Sequence, residues 1–447
     1  MKQYVKTIIA VSLTIASLGK ASAQVPDPNI TLITNINVFD GVNEKLIKNA
    51  NIVITDNIIT EVSTEPLMVA GGKVIDGGGR TMIPGMIDAH WHMTYCCLLQ
   101  NVVLTGDIAE VAISGALAAP DVLMRGFTTV RDTGGNTFSI HKMIERGDIV
   151  GPRMLPSGPP ITQTGGHLDY RPYTSVPTNS GDSNWYWYAN ALMLQADGVP
   201  EVTLRTREVM RLGATQIKIA AGGGVSSLYD PLDVRQYTKA ELEAFVEVAD
   251  TYNTYVLAHI FTDDAAQVAL EAGVKSIEHG NLLSEKTLKL MKEKGAWLSV
   301  QPILNDDDAI KFRDPESTQK YLEVTDGTDR TIRLAKKLGV KMAWGTDMLF
   351  DAKLAAKQGV FVAKMKRWFT PYEIMKLVTS NNAELIYLSG PRNPYQKGKL
   401  GVINKGAYAD LILVDGNPLE NIDLIGDPNA NFDLIMKDGK IYKNSIK

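Results

Sequence analysis

Hydrophobic and polar positions fall into three regimes along this chain. From Ile30 to Val62, short apolar and β-branched runs (ITLITNINVFDG, ANIVITDN, IITEVS) alternate with Asp-Gly and Asp-Asn turns, which predicts consecutive strands. The same rhythm returns after Gly390-Pro391 in LGVINKG, ADLILVDG and DLIMKDGKIYK. Neither end holds enough strands for a stable sandwich alone, so residues 24–85 and 391–447 are expected to join as one composite β-sandwich subdomain.

Between them, over residues 86–390, the pattern becomes apolar strand, glycine-bearing loop and amphipathic helix, repeated. Candidate strands are MIDAH, FTTVRD, RMLPSG, TQIKIAA, YVLAHI, SIEHG, WLSVQP and KMAWGTD. Eight such units over roughly 300 residues predict an α/β domain, a (β/α)8 TIM-type barrel. A doubly wound sheet is the other candidate, but the glycine-rich phosphate turn after its first strand is absent. Thr238 and Glu241 form a capping box that starts the helix ELEAFVEVADTY, where a crossover helix belongs.

The extreme N-terminus is a third regime. Lys2 and Lys6 precede an apolar run from Thr7 to Leu18, and Ala21-Ser22-Ala23 supplies an A-x-A cleavage pattern. Residues 1–23 are therefore expected to be a signal peptide, cleaved near Ala23, that exports the protein to the periplasm or the exterior. The run is shorter than the roughly 20 residues a membrane span needs, so no membrane association is expected after cleavage.

Composition narrows the function. With 45% hydrophobic and 21% charged residues, the chain is neither disordered nor fibrous. Forty-six basic against 50 acidic residues leave a formal charge of -4, which argues against a nucleic-acid partner and for a small-molecule substrate. Loss of Lys2, Lys6 and Lys20 with the signal peptide would take -4 to -7. Cys96 and Cys97 are chain neighbours and cannot staple distant segments; they are expected to be two small buried residues.

Candidate chemistry gathers at the strand ends. Of six histidines, His90, His92, His259 and His279 stand there, and strand ends converge on one face of a barrel. His90 and His92, two apart on extended chain, point the same way and can share a cation. Lys218 interrupts the apolar run Ile217–Ala221, where an unpaired ammonium would cost several kcal/mol. Reaction of its neutral amine with carbon dioxide would give a carbamate (N6-carboxylysine) able to bridge two metals; the alternative is a lysine at a barrel end that reaches an Asp or Glu. Asp347, after KMAWGT, adds a carboxylate.

These residues resemble the amidohydrolase superfamily of metal-dependent hydrolases. Pro84-Gly85-Met86-Ile87-Asp88-Ala89-His90-Trp91-His92 is similar to its first-strand motif. Ala258-His259 and the stretch Ala272 to Gly280 resemble the fifth and sixth strands of the branch containing imidazolonepropionase-like enzymes and Xaa-Pro dipeptidases. Trp344-Gly345-Thr346-Asp347 resembles the eighth strand, and Gly406 to Leu419 the tail that returns to the β subdomain.

The resemblance implies that His90, His92 and Asp347 bind a first metal, His259 and His279 a second, and carboxylated Lys218 bridges them. Two divalent ions, expected to be zinc, are implied. Lys218 separates the chain from imidazolonepropionases proper, which bind one metal, and favours the two-metal peptidase-like branch, some of whose members hydrolyse the amide of ochratoxin.

The expected activity is hydrolysis of an amide or peptide bond in a dipeptide, an N-acyl amino acid or an ochratoxin-like aromatic amide, by attack of a metal-bridging hydroxide. Asp347 would take the proton and return it to the departing amine. The alternatives are opening of a cyclic amide, as imidazolonepropionase does, and a silent ligand-binding homologue. A homo-oligomer is expected.

His167, in Thr164-Gly165-Gly166-His167-Leu168-Asp169, is the candidate contact to the substrate's carbonyl or carboxylate, and serves as a catalytic candidate beside Asp347. The family's Gly-His-Gly-Asp pattern has Leu168 at its second glycine here. Tyr229 resembles a substrate-holding tyrosine of related dipeptidases. His141 is read as structural, Gly222-Gly223-Gly224 as room for backbone close to the metals, and Asp306-Asp307-Asp308 as a solvated loop. The aromatic run 184–188 fits a substrate-pocket wall, an oligomer contact or simple packing of a long loop over the barrel.

Overall fold

The computed structural model describes residues 29–171, 192–227, 229–312 and 314–446. The expected signal peptide and the aromatic run 184–188 lie outside them.

Strands β1 (Ile30–Val38), β2 (Ile47–Thr55), β3 (Ile58–Ser63), β4 (Lys73–Asp76) and β5 (Thr81–Pro84) come from the N-terminal region. The α/β region adds β6 (Met86–Trp91), β7 (Phe127–Asp132), β8 (Arg153–Pro156), β9 (Ile161–Thr162), β10 (Leu194–Gln195), β11 (Ile217–Ala220), β12 (Val256–Ile260), β13 (Ser276–His279), β14 (Trp297–Val300) and β15 (Lys341–Trp344). The tail supplies β16 (Leu411–Val414), β17 (Phe432–Lys437) and β18 (Lys440–Asn444). All eight strands expected in the α/β region form at their predicted segments, β6 running one residue further to Trp91, and the short β9 and β10 are additional.

The two chain ends do meet. They build one eight-stranded sheet, ordered β18-β17-β16-β5-β1-β2-β3 with β4 on β1. This is a single sheet folded over rather than two separate leaves. β1 carries the fold: its first half pairs with β4 and its second with β5, on either side of an irregularity at Asn35, whose φ is +53°. The far edge then returns, with Ile59 N donating to Ala407 O and Ala409 N to Asn57 O. Ile33, Ile36, Val38, Met82, Leu411 and Leu434 form its buried centre.

The α/β region is parallel throughout, as β6-β7-β8 and β10-β9-β11-β12-β13-β14-β15. Intervening helices are α1 (Gln100–Thr105), α2 (Ile108–Met124), α3 (Phe138–Arg146), α4 (Gly198–Leu212), α5 (Lys239–Thr251), α6 (Asp263–Ala272), α7 (Glu285–Lys294) and α8 (Pro315–Leu338). The capping box expected at Thr238 and Glu241 opens α5.

The two parallel sheets are joined at two places. Thr215 N donates to Pro156 O (2.8 Å) and Gln216 Nε2 to Leu155 O (2.8 Å), joining β8 to the approach of β11. On the other side Asp347 N donates to His90 O (2.9 Å), while buried Asp88 accepts from both His90 N and Thr346 N. Asp88 thereby ties the ends of β6 and β15, the two strands that present His90 and Asp347.

Arg153, on β8, fastens the α/β region to the terminal sheet. Its guanidinium donates to Asp410 at 2.9 and 3.2 Å and to Asp438, and lies over the Tyr408 ring at 4.1 Å.

Two expectations need correction. Cys96 and Cys97 are joined to each other as a disulfide, in a turn after β6 where Tyr95 N and Cys96 N both donate to His92 O. The acidic run is not simply solvated, because Lys364 pairs with Asp306 and Asp308, and Lys357 with Asp308. No helix among the described residues is long and apolar enough to cross a membrane.

Candidate metal centre

His90, His92, His167, Lys218, His259, His279 and Asp347 all line one cavity of about 110 Å³. They arrive from β6, β11, β12, β13 and the segments after β9 and β15, so the convergence is a product of the parallel strands. Of these seven residues, His279 (φ +76°) and Asp347 (φ +54°) hold left-handed backbone that non-glycine residues seldom adopt. At both, the chain turns off its strand and the side chain stays over the cavity floor.

Asp347 is the hub. Its Oδ1 lies 3.4 Å from His90 Nε2 and 3.3 Å from His92 Nε2, and its Oδ2 lies 3.6 Å from His279 Nδ1. His90, His279 and Asp347 offer ligand atoms that all lie within 4.8 Å of one another, a group that could hold a metal ion. The His259 ring centroid is 4.6 Å from that of His279, and its Nε2 lies 3.2 Å from Gly223 O. Lys218 Nζ faces His90 Nε2 at 3.5 Å.

The charges around these groups are unbalanced in an informative way. Burial, then the nearby Lys218 ammonium, pushes His90 down to about 3; burial likewise takes His279 to about 4 and His259 well below its ordinary range. These three imidazoles are therefore neutral, with lone pairs free to ligate. Burial would raise Asp347, but His90, His92 and His279 outweigh it and hold the carboxyl low. Burial pulls Lys218 down to about 8, and no carboxylate lies within ion-pair distance of it among the described residues. Neutral imidazoles, a carboxylate and a buried, easily deprotonated amine form a donor set that fits divalent metal with N and O ligands.

Outer contacts aim these rings. His90 Nδ1 meets Glu278 Oε2 at 2.7 Å, and His279 Nδ1 meets Gln301 Oε1 at 2.8 Å. His92 Nδ1 lies 3.4 Å from Gly134 O. Glu278 and Gln301 were not singled out in the sequence, although Glu278 sits beside His279 in the motif.

His167 lies at the cavity wall, stacked on His259 with centroids 3.9 Å apart. Its Nδ1 contacts Ser227 Oγ (2.6 Å) and Asp230 Oδ2 (3.1 Å), and Lys320 Nζ grips the carbonyls of Ser227 and Asp230. The glycine run serves this ring: a Cβ on Gly224 would collide with it. Tyr229 does not line the cavity, whereas Tyr170 does. His141 sits on α3, outside the cavity. Aromatic and apolar walls otherwise enclose the floor, including Tyr95, Phe261, Phe312, Tyr321 and Phe350.

Residues 81–444 match the Amidohydrolase family, and the chain belongs to it. Family and relatives together define a hydrolase acting on amide bonds. Ochratoxinase of Aspergillus niger is 32% identical over 451 residues, covering 97% of this chain and 91% of that protein. Among solved structures, a prolidase complexed with N-methylphosphonate-L-proline is 35% identical with a TM-score of 0.86, covering 93% of this chain and 100% of that one. A Xaa-Pro dipeptidase with methionine bound in its active site is 27% identical with a TM-score of 0.80, covering 93% and 100%.

Proposed function

We propose that the chain is a two-metal amidohydrolase that cleaves the amide bond of a dipeptide or N-acyl amino acid carrying bulky apolar groups. The observation that carries this reading is Lys218, a buried amine set among four histidines and Asp347, with no carboxylate within ion-pair distance of it among the described residues. On this reading the two parallel sheets close as one (β/α)8 barrel, and the contacts at both places support that closure.

His90, His92 and Asp347 would hold one ion, His259 and His279 the other. Neutral Lys218 would add carbon dioxide through Nζ, releasing one proton and leaving a carbamate between them. Bound zinc would supply Lewis acidity, polarising the scissile carbonyl and lowering the pKa of water. Asp347 then accepts a proton from the attacking water and delivers it to the leaving nitrogen. His167, fixed at Nδ1, presents its other edge to the substrate.

The walls argue for the substrate class. Among the described residues, six aromatics (Tyr95, Tyr170, Phe261, Phe312, Tyr321 and Phe350) face the cavity, so apolar groups beside the amide gain burial there. Ochratoxin-like aromatic amides belong to the same class. The test is release of free amine from a panel of dipeptides and N-acyl amino acids by zinc-loaded protein. Turnover of members with large apolar groups is expected; no release from any member contradicts the proposal.

Export with cleavage near Ala23 is part of the proposal, tested by N-terminal sequencing of secreted protein. So is self-association, which exposed Ile113 (59%) and Leu117 (72%) on one face of α2 support. Sedimentation of the pure chain tests it.

A further inference from the structure

Arg131 and Glu278 form an ion pair at the centre of the α/β region, and both side chains are fully shielded from solvent. Removing two charges from water is expensive, and an apolar pair of similar volume would often serve stability as well or better. The pair is nonetheless thoroughly satisfied. Arg131 Nη2 donates to both Glu278 oxygens at 2.8 Å, Nη1 to Tyr255 Oη at 3.1 Å and Nε to the carbonyl of Ala89. Ser276 Oγ donates to Glu278 Oε1.

One contact of this network leaves the interior and reaches the cavity floor. It is the 2.7 Å bond between Glu278 Oε2 and His90 Nδ1. Because Arg131 also grips the carbonyl of Ala89, the same guanidinium steadies the backbone just before His90 and the carboxylate behind its ring. Because the Arg131 guanidinium donates to both of its oxygens, Glu278 is held as a carboxylate and serves His90 as an acceptor. With hydrogen held on Nδ1, the lone pair of Nε2 points to Asp347 and Lys218.

We propose that Glu278, backed by Arg131, is a positioning residue for His90: it fixes the tautomer and angle of that ring and so sets the affinity of the metal that His90 would bind. This rests on the two-metal reading above. The two charged residues are thus retained in the interior for the orientation they give one ligand.

The experiment is a chelator competition on zinc-loaded wild type, Glu278→Gln and Glu278→Asp, with thermal melts of the metal-free proteins alongside. Glu278→Gln weakens the acceptor, and Glu278→Asp keeps a charge for Arg131 while drawing it back from His90. Each folded variant is expected to release one of its two ions at about 10- to 100-fold lower chelator concentration than wild type. A competition curve superimposable on wild type in either folded variant overturns the proposal. Glu278→Asp decides the matter if Glu278→Gln does not fold. A wild-type chain that binds no zinc would instead contradict the two-metal reading itself.

Discussion

Gly224 lies so close to His167 that a single Cβ would overlap the imidazole at Nδ1 and Cε1. The clearance has a purpose, because that edge is where Ser227 and Asp230 hold the ring.

Gly224→Ala should therefore displace His167, whose ring also stacks on the proposed metal ligand His259. A shift of about an ångström in a substrate contact costs on the order of 100-fold. Kinetics on protein brought to equal metal content should show kcat/KM reduced by about that factor. Normal kinetics would mean His167 contacts no substrate.

Asp347→Asn should keep the fold and lose most turnover, since an amide cannot accept and return a proton. A loss of about 10²- to 10⁴-fold in kcat is expected in metal-loaded protein. Near wild-type turnover would remove Asp347 from the base role.

Phe312 and Tyr321 face each other across 5.7 Å on the apolar wall. Phe312→Ala should cut kcat/KM about 10- to 100-fold for substrates with an aromatic side group and spare those with a small one. An equal loss for both would place the aromatic subsite elsewhere.

Arg153 and Asp410 are only 5% and 4% exposed, so removing one strands a buried charge. Asp410→Ala should destabilise the chain by about 3–5 kcal/mol, partly offset by Asp438, which also accepts from Arg153. Urea unfolding measures the change in midpoint. An unchanged midpoint would show that the terminal sheet is held to the α/β region by its apolar contacts alone.

The sequence disclosed the strands and the cavity floor for one reason. Strand-loop-helix repetition is periodic, and a histidine at the end of an apolar run is conspicuous. What it concealed depends on partners distant in the chain. Arg131 looks like a surface residue at the end of FTTVRD until Glu278, 147 positions later, is seen against it. The same holds for Asp230, whose role is defined by His167, and for Gly224, whose missing side chain matters only beside that ring. Tyr170 rather than Tyr229 reaches the cavity because loop paths carry no periodicity to read.

The central claim is that Lys218 joins two metals, and metal content tests it most directly. Wild type and Lys218→Ala, purified without chelator and supplied with zinc, should be analysed together by elemental analysis. Acetate or propionate added to the variant is expected to restore part of its activity by filling the gap with a similar anion. The account predicts about two ions per chain in wild type and fewer than one in the variant, because a single bridging ligand serves both sites. Two ions per chain in Lys218→Ala would contradict it.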